Sequence, residues 1–131
     1  GGKIGARQLG YNITIIPPGK KSWPFHNHHV SEEMFLILEG TGILRHGDNK
    51  FPIKKNDIIA CPTGDRSVAH QIINDGETDL KYLALGTKKP YDICEYPDSD
   101  KILSRVTSED DSNLWNMSKG NESYDYFEGE E

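Results

Sequence analysis

The sequence has two cysteines in 131 residues and no hydrophobic run approaching a membrane span. Cys61 and Cys94 form no CxxC pair, which argues against a disulfide framework or a cysteine zinc cluster; two free, buried thiols in a reducing compartment are expected. A spanning helix needs about 20 consecutive apolar residues, whereas the hydrophobic 34% of this chain is scattered in short pieces, so no membrane association is expected. Gly1 to Tyr11 carries charge but no apolar signal-peptide core, and a cytoplasmic protein is therefore expected. Nor is there a basic cluster interleaved with aromatics, so nucleic acid is not expected as a partner.

Charge is unevenly placed. Residues 106–131 carry eight acids against one base, Lys119, while the rest holds 13 acids and 14 bases. The overall net charge of −6 is thus a property of the tail, and the body is nearly neutral. One domain is expected from the length, divided into a barrel over 1–105 and an acidic, irregular extension over 106–131. The extension ends in three aromatics, Tyr124, Tyr126 and Phe127, which are expected to dock on the barrel or on a partner subunit.

What the body does contain is a series of short apolar runs broken by turn residues. Tyr11 to Ile16 stops at Pro17-Pro18-Gly19. The run through Leu38 that starts at Glu33 stops at Gly40-Thr41-Gly42. Thr41 to Arg45 and Phe51 to Ile53 flank a hairpin loop at His46 to Lys50. Asp57 to Cys61, Ala69 to Ile73 and Leu80 to Leu85 follow, each bounded by turn signals. With no helical period between these runs, antiparallel connections are favoured, because parallel pairs need long crossovers. From Lys88 onward the pattern weakens. An all-β antiparallel sandwich or barrel is predicted.

The residues that can carry chemistry lie in Trp23-Pro24-Phe25-His26-Asn27-His28-His29. Pro24 disfavours a helix here. On an extended segment, residues two apart share a face, so His26 and His28 can converge on one ion while His29 turns outward. An acid follows, but Glu33 lies five residues beyond His28, an odd offset that needs a turn through His29 to Glu32 to reset the register. Parity alone leaves Glu32 and Glu33 as competitors. His70 opens a strand some forty residues later, with Ile72 and Asn74 on its face.

Gly19, His26-Asn27-His28, Glu33 and Gly40 stand at spacings that resemble the first motif of the cupin family. Asn56-Asp57, Pro62-Thr63-Gly64, His70 and Asn74 resemble its second. The resemblance implies an antiparallel double-sheet jelly roll and selects Glu33 over Glu32. It implies one divalent transition metal ion (Mn, Fe, Co, Ni or Zn) held by His26, His28, Glu33 and His70, and a homodimer joined through an edge strand. The sequence departs from the pattern twice. Asn56 replaces a glycine, which a left-handed turn tolerates, and Asp65 to Ala69 lengthen the loop before His70.

Such an ion would polarise a carbonyl, stabilise an enediolate or, if ferrous, activate dioxygen. Three readings follow: a metal-dependent enzyme on a small polar metabolite such as a sugar or sugar phosphate, a non-catalytic small-ligand binding or sensing module, and an Fe(II) oxygenase. Turnover would require an acid/base group beside the metal; Tyr82 and Glu39 are candidates if they point inward. Trp23, beside the first histidine, either lines the pocket or belongs to the core. Arg66, in the lengthened loop, is the best-placed cation for a phosphate, with Lys20, Lys21 and Arg7 behind it.

Overall fold

The computed structural model describes residues 2–108 and 113–130. Its strands are β1 (Leu9–Ile16), β2 (Asn27–His28), β3 (Glu33–Glu39), β4 (Thr41–His46), β5 (Asn49–Lys54), β6 (Ile58–Cys61), β7 (His70–Ile73), β8 (Leu80–Thr87), β9 (Tyr91–Tyr96), β10 (Lys101–Val106) and β11 (Leu114–Lys119). Helical structure among the described residues is confined to single 3-10 turns at Gly2–Ile4 and Arg66–Val68. Among the described residues, no helix is long and apolar enough to cross a membrane.

The first eight strands coincide with the apolar runs and the histidine segment. The turns between them use the residues that the backbone demands. Gly40 turns β3 into β4 with a φ of +83°, and a side chain there would run into the backbone of Asp79. Asn56 takes a φ of 75° between β5 and β6, the left-handed conformation expected of the residue that replaces glycine.

All ladders are antiparallel. One layer is the sheet β1-β8-β3-β6. The other joins β5-β4-β7 to β2-β9-β10-β11 through the isolated bridges Lys21↔Ile73 and His26↔His70. The two layers make the jelly roll. Between them lies a core of Ile16, Phe35, Ile37, Leu44, Ile53, Ile59, Cys61, Ile72, Leu80 and Tyr82. Asn74 is fully buried at its edge, with Nδ2 donating to the carbonyls of Ile16 (2.7 Å) and Thr78 (2.8 Å), and Oδ1 accepting from the Gly76 amide (3.0 Å).

The region after Lys88 is more regular than its sequence pattern. β9 and β10 form a hairpin, and β11 adds a strand within the segment expected to be irregular, pairing with β10 from Lys101↔Lys119 to Val106↔Leu114. The physical reason is an inverted alternation. In β9 the polar Asp92 and the thiol of Cys94 face inward and are buried, while Tyr91 and Ile93 face out and are exposed. A wall that lines a polar site has no apolar face to announce it. β10 runs through residues 105 and 106, and part of the acidic run, residues 109–112, lies outside the described residues. Tyr124, Tyr126 and Phe127 are exposed in the isolated chain, the last two packed edge to face at 5.0 Å.

Candidate metal centre

His26 and His28 lie on one extended segment with Asn27 between them. Asn27 is buried on the opposite side, donating from Nδ2 to the Gly64 carbonyl (2.9 Å) and to Glu95 Oε2 (3.1 Å). That anchoring leaves the two imidazoles on one face, ring centroids 5.0 Å apart. His29 turns outward and donates to Glu95 Oε2 at 2.8 Å.

Residues 29–32 leave the strand conformation, and β3 begins at Glu33, so the register is reset where the odd offset required it. Glu32 is exposed, whereas Glu33 enters the barrel. His70, on β7, bridges to His26 from the neighbouring strand, with ring centroids 4.7 Å apart. The four side chains converge on one atom. Glu33 Oε2 lies 2.9 Å from His70 Nε2, 3.4 Å from His28 Nε2 and 3.5 Å from His26 Nε2.

The other ring nitrogens are held from behind. His26 Nδ1 donates to the Pro24 carbonyl at 2.7 Å, and His28 Nδ1 donates to Asp92 Oδ2 at 2.8 Å. Each bond places its proton on Nδ1 and directs Nε2 toward Glu33, the arrangement that orients histidine ligands in metal proteins. Asp92 is fully buried, and its Oδ1 accepts from the Val30 amide (3.1 Å) and its own neighbour Ile93 (2.9 Å). One carboxylate therefore shapes the turn after His28 and also aims His28. Cys94 Sγ lies 3.2 Å from His28 Nδ1. His26, Glu33 and His70 group closely enough to hold an ion, and so do His28, Asp92 and Cys94; His28 reaches the first group through its 3.4 Å approach to Glu33 Oε2, while its Nδ1 proton is shared with Asp92.

His70 differs. Its Nε2 donates to Glu33 at 2.9 Å, and its buried Nδ1 has no hydrogen-bond partner of good geometry. Moving the proton to Nδ1 would free Nε2 as a ligand. The lengthened loop has not displaced His70. Asp65 caps its 3-10 turn through Ser67 N, and Arg66 ties the loop to the barrel through Glu95 (2.9 Å) and Asp100 (2.7 Å).

Electrostatics in the metal-free cluster follow from this packing. Burial alone would raise the Glu33 pKa, but hydrogen bonds from His26, His28 and His70 hold it far below the carboxylate range. Burial would lower that of His28; hydrogen bonds to Cys94 and Glu33 outweigh it and push the imidazolium up to about 11. For His70 burial prevails over the Glu33 hydrogen bond, and its pKa falls below the usual histidine value. Burial would raise the pKa of Asp92, but the nearby Ser31 hydroxyl and the hydrogen bond from His28 hold it below the usual range.

A cavity of about 330 Å³ opens onto His26, His28 and Glu33. Trp23 lines it and is exposed to solvent on its other side. Tyr82 does not reach it as an acid/base group, being fully buried in the core against Phe35 at 5.4 Å. Glu39 points outward and pairs with Lys81 at 3.4 Å. Arg66 is occupied by two carboxylates. The wall instead presents Tyr96, whose ring lies 6.2 Å from that of His26, and Arg105. Asp92, Cys94, Tyr96 and Arg105 were missed in the sequence because they lie beyond the recognisable motifs. The available signal was the alternation of Asp92, Cys94 and Tyr96 at i, i+2, i+4.

A protein-family model described as a cupin domain matches residues 12–86. Among solved structures, a cupin-superfamily sugar phosphate isomerase from Silicibacter pomeroyi superposes with a TM-score of 0.80 at 27% identity, over 91% of this chain and 72% of that one. A protein of Acidithiobacillus ferrooxidans, whose name offers sugar phosphate isomerase as a provisional activity, superposes with a TM-score of 0.82 at 32% identity, over 92% and 73%. The oxalate-binding protein of Thermotoga maritima is 36% identical over 53% of this chain and 54% of its own length. The chain spans about half the length of the curated relatives it matches.

Proposed function

The chain belongs to the cupin family, and on that premise we propose that it holds one divalent transition metal ion on His26, His28, Glu33 and His70 and acts there on a small polar metabolite, a sugar or sugar phosphate. The observation that carries the reading is the convergence of three imidazole Nε2 atoms on one oxygen of Glu33, with the Nδ1 atoms of His26 and His28 tied to acceptors behind them. Three imidazoles and a carboxylate suit Mn, Fe, Co, Ni or Zn. When bound, the ion would supply Lewis-acid polarisation of a substrate oxygen.

The protein's own residues do the rest. Asp92 holds the Nδ1 proton of His28, which leaves Nε2 as the nitrogen that would bind the ion, and Glu33 stays ionised without a metal. Burial raises the pKa of Tyr96, which keeps its hydroxyl protonated and able to donate a hydrogen bond at the cavity wall. The names of the Silicibacter and Acidithiobacillus structures support a sugar phosphate as substrate. A non-catalytic binding role is the second reading, favoured by the absence of Tyr82 and Glu39 from the cavity wall.

Elemental analysis of untagged protein after metal supplementation tests the site. One equivalent of metal is expected in wild type and a marked loss in His26→Ala and His70→Ala; sub-stoichiometric metal in wild type would overturn the reading. Solvent deuterium incorporation into a panel of sugar phosphates, followed by NMR, separates isomerase from binding module.

We further propose a homodimer. The outer face of β1-β8-β3-β6 exposes Ile13, Ile15, Met34 and Ile58, with β1 at its edge, and large exposed apolar patches mark interaction surfaces. Light scattering coupled to size exclusion is expected to give twice the chain mass, and Ile13→Lys with Ile58→Lys to give a monomer. A cytoplasmic location fits the two free, buried thiols.

A further inference from the structure

We propose that Arg105 is the anion anchor of the cavity, so that the ligand taken up beside the metal site is a small molecule bearing a carboxylate or a phosphate. The inference rests on the metal-site reading for the position of the ligand's other end, and on independent observations for Arg105 itself.

The arginines of this chain are not equivalent. Arg45 places two nitrogens on Asp98, at 2.7 and 2.9 Å, with its guanidinium 3.6 Å over the ring of Phe25. Arg66 is fixed by Glu95 and Asp100. Arg7 is exposed, ahead of β1. Arg105 is half-buried on the cavity wall, and among the described residues its guanidinium makes no hydrogen bond. Its ion-pair partner is Asp92 Oδ2 at 3.9 Å, an oxygen already taken by His28 Nδ1 at 2.8 Å.

A guanidinium carries five donors in a planar fork that matches carboxylate and phosphate oxygens. Such a group, partly removed from water, without an acceptor and facing a cavity, is best satisfied by an oxyanion that enters the cavity. Strand register explains its place. Arg105 pairs with Asp92, and Leu103 with Cys94, so β9 and β10 present these residues to the same side as His28.

Two further features favour an anion. Asn12 lines the same cavity; its Oδ1 accepts from Thr14 Oγ1 at 2.8 Å, which leaves the Nδ2 donors for a ligand. With a divalent ion in place, the two carboxylates nearest the imidazoles, Glu33 and Asp92, are outweighed by the ion and Arg105, so the pocket is net positive. A volume of about 330 Å³ limits the ligand to a small metabolite.

The test uses the metal-supplemented chain and three probes read by calorimetry: glycerol 3-phosphate, glycolate and glycerol. Wild type is expected to bind at least one anion and to ignore glycerol; the tighter anion identifies phosphate or carboxylate as the recognised group. Arg105→Gln should weaken that anion by about 10- to 100-fold, the loss of charge-assisted hydrogen bonds, with unchanged metal content and melting temperature. Arg105→Lys should recover only part of the loss, because a point charge lacks the fork.

Equal anion affinity in wild type and Arg105→Gln overturns the inference, and so does a wild type that prefers neither anion over glycerol. Failure of the metal reading is separately visible as a wild type that takes up no ion. Anion affinity of wild type and Arg105→Gln is then compared in that same metal-free protein, where equality again overturns the role of Arg105.

Discussion

Loading the metal-free protein with Mn(II) at pH 7 is expected to release a proton from His28. In the metal-free cluster Glu33 is already ionised and His70 is held below the usual histidine range, so neither has a proton to lose at this pH. His28, pushed up to about 11, carries one on each nitrogen. The Nδ1 proton stays on the hydrogen bond to Asp92, and the Nε2 proton must leave for the lone pair to reach the ion.

At about 1.4 kcal/mol per pKa unit, removing that proton at pH 7 costs about 5 kcal/mol. The sign is fixed: metal affinity rises with pH by about tenfold per unit until His28 deprotonates without help. Calorimetry in buffers of different ionisation enthalpy counts the protons, and competition with a chelator between pH 6.5 and 8 gives the slope. Uptake without proton release, or an affinity flat across this range, would refute the coupled-cluster argument.

Four other outcomes follow from the same structure. Asp92→Asn should lower metal affinity by about 10- to 100-fold, measured by chelator competition, and a wild-type value would mean that Asp92 does not orient His28. Without metal, thermal stability should fall as pH drops below the usual carboxylate range, because Glu33 and Asp92 have depressed folded-state pKa values; it should also fall above about pH 6.5, the unfolded value for histidine, because the raised pKa of His28 favours folding only below its own titration. His70, whose folded-state value is lowered, adds a loss of stability as pH falls below about 6.5, so a scan of melting temperature against pH should peak near that value. Cys61, 1% exposed and pushed up to about 12 by burial and by Glu33, should stay unmodified by a thiol reagent until the protein is unfolded. Asn74→Ala should lower stability by about 2–4 kcal/mol in urea melts, since it leaves the Ile16 and Thr78 carbonyls and the Gly76 amide without their partner.

The parts of the site legible in the sequence are those determined by local geometry. Pro24 and the two-residue spacing place His26 and His28 on one face without reference to anything distant. Glu33 could not be told from Glu32 that way, because the turn through residues 29–32 takes its shape from Asp92, some sixty residues later. Asn56 was readable as a left-handed turn. Arg66 was correctly placed on the loop before His70, but its partners Glu95 and Asp100 occupy a stretch that reads only as a turn. β9 escaped notice because its buried face is polar, and Arg105 because nothing local distinguishes a guanidinium that lacks a hydrogen bond from one that has one.

The four residues placed to hold the ion lie within 12–86, the span shared with the family, whereas Asp92, Cys94, Tyr96 and Arg105 lie on the hairpin that follows it. If the proposed metal site and anion anchor hold, the residues that bind the ion and those that meet the ligand's far end sit on separate stretches of chain, and a substitution at Tyr96 or Arg105 would alter ligand preference without touching an imidazole. Asp92 is the exception to that freedom. It grips His28 from the hairpin, so a change to the hairpin that removed that carboxylate would disturb the imidazole cluster as well.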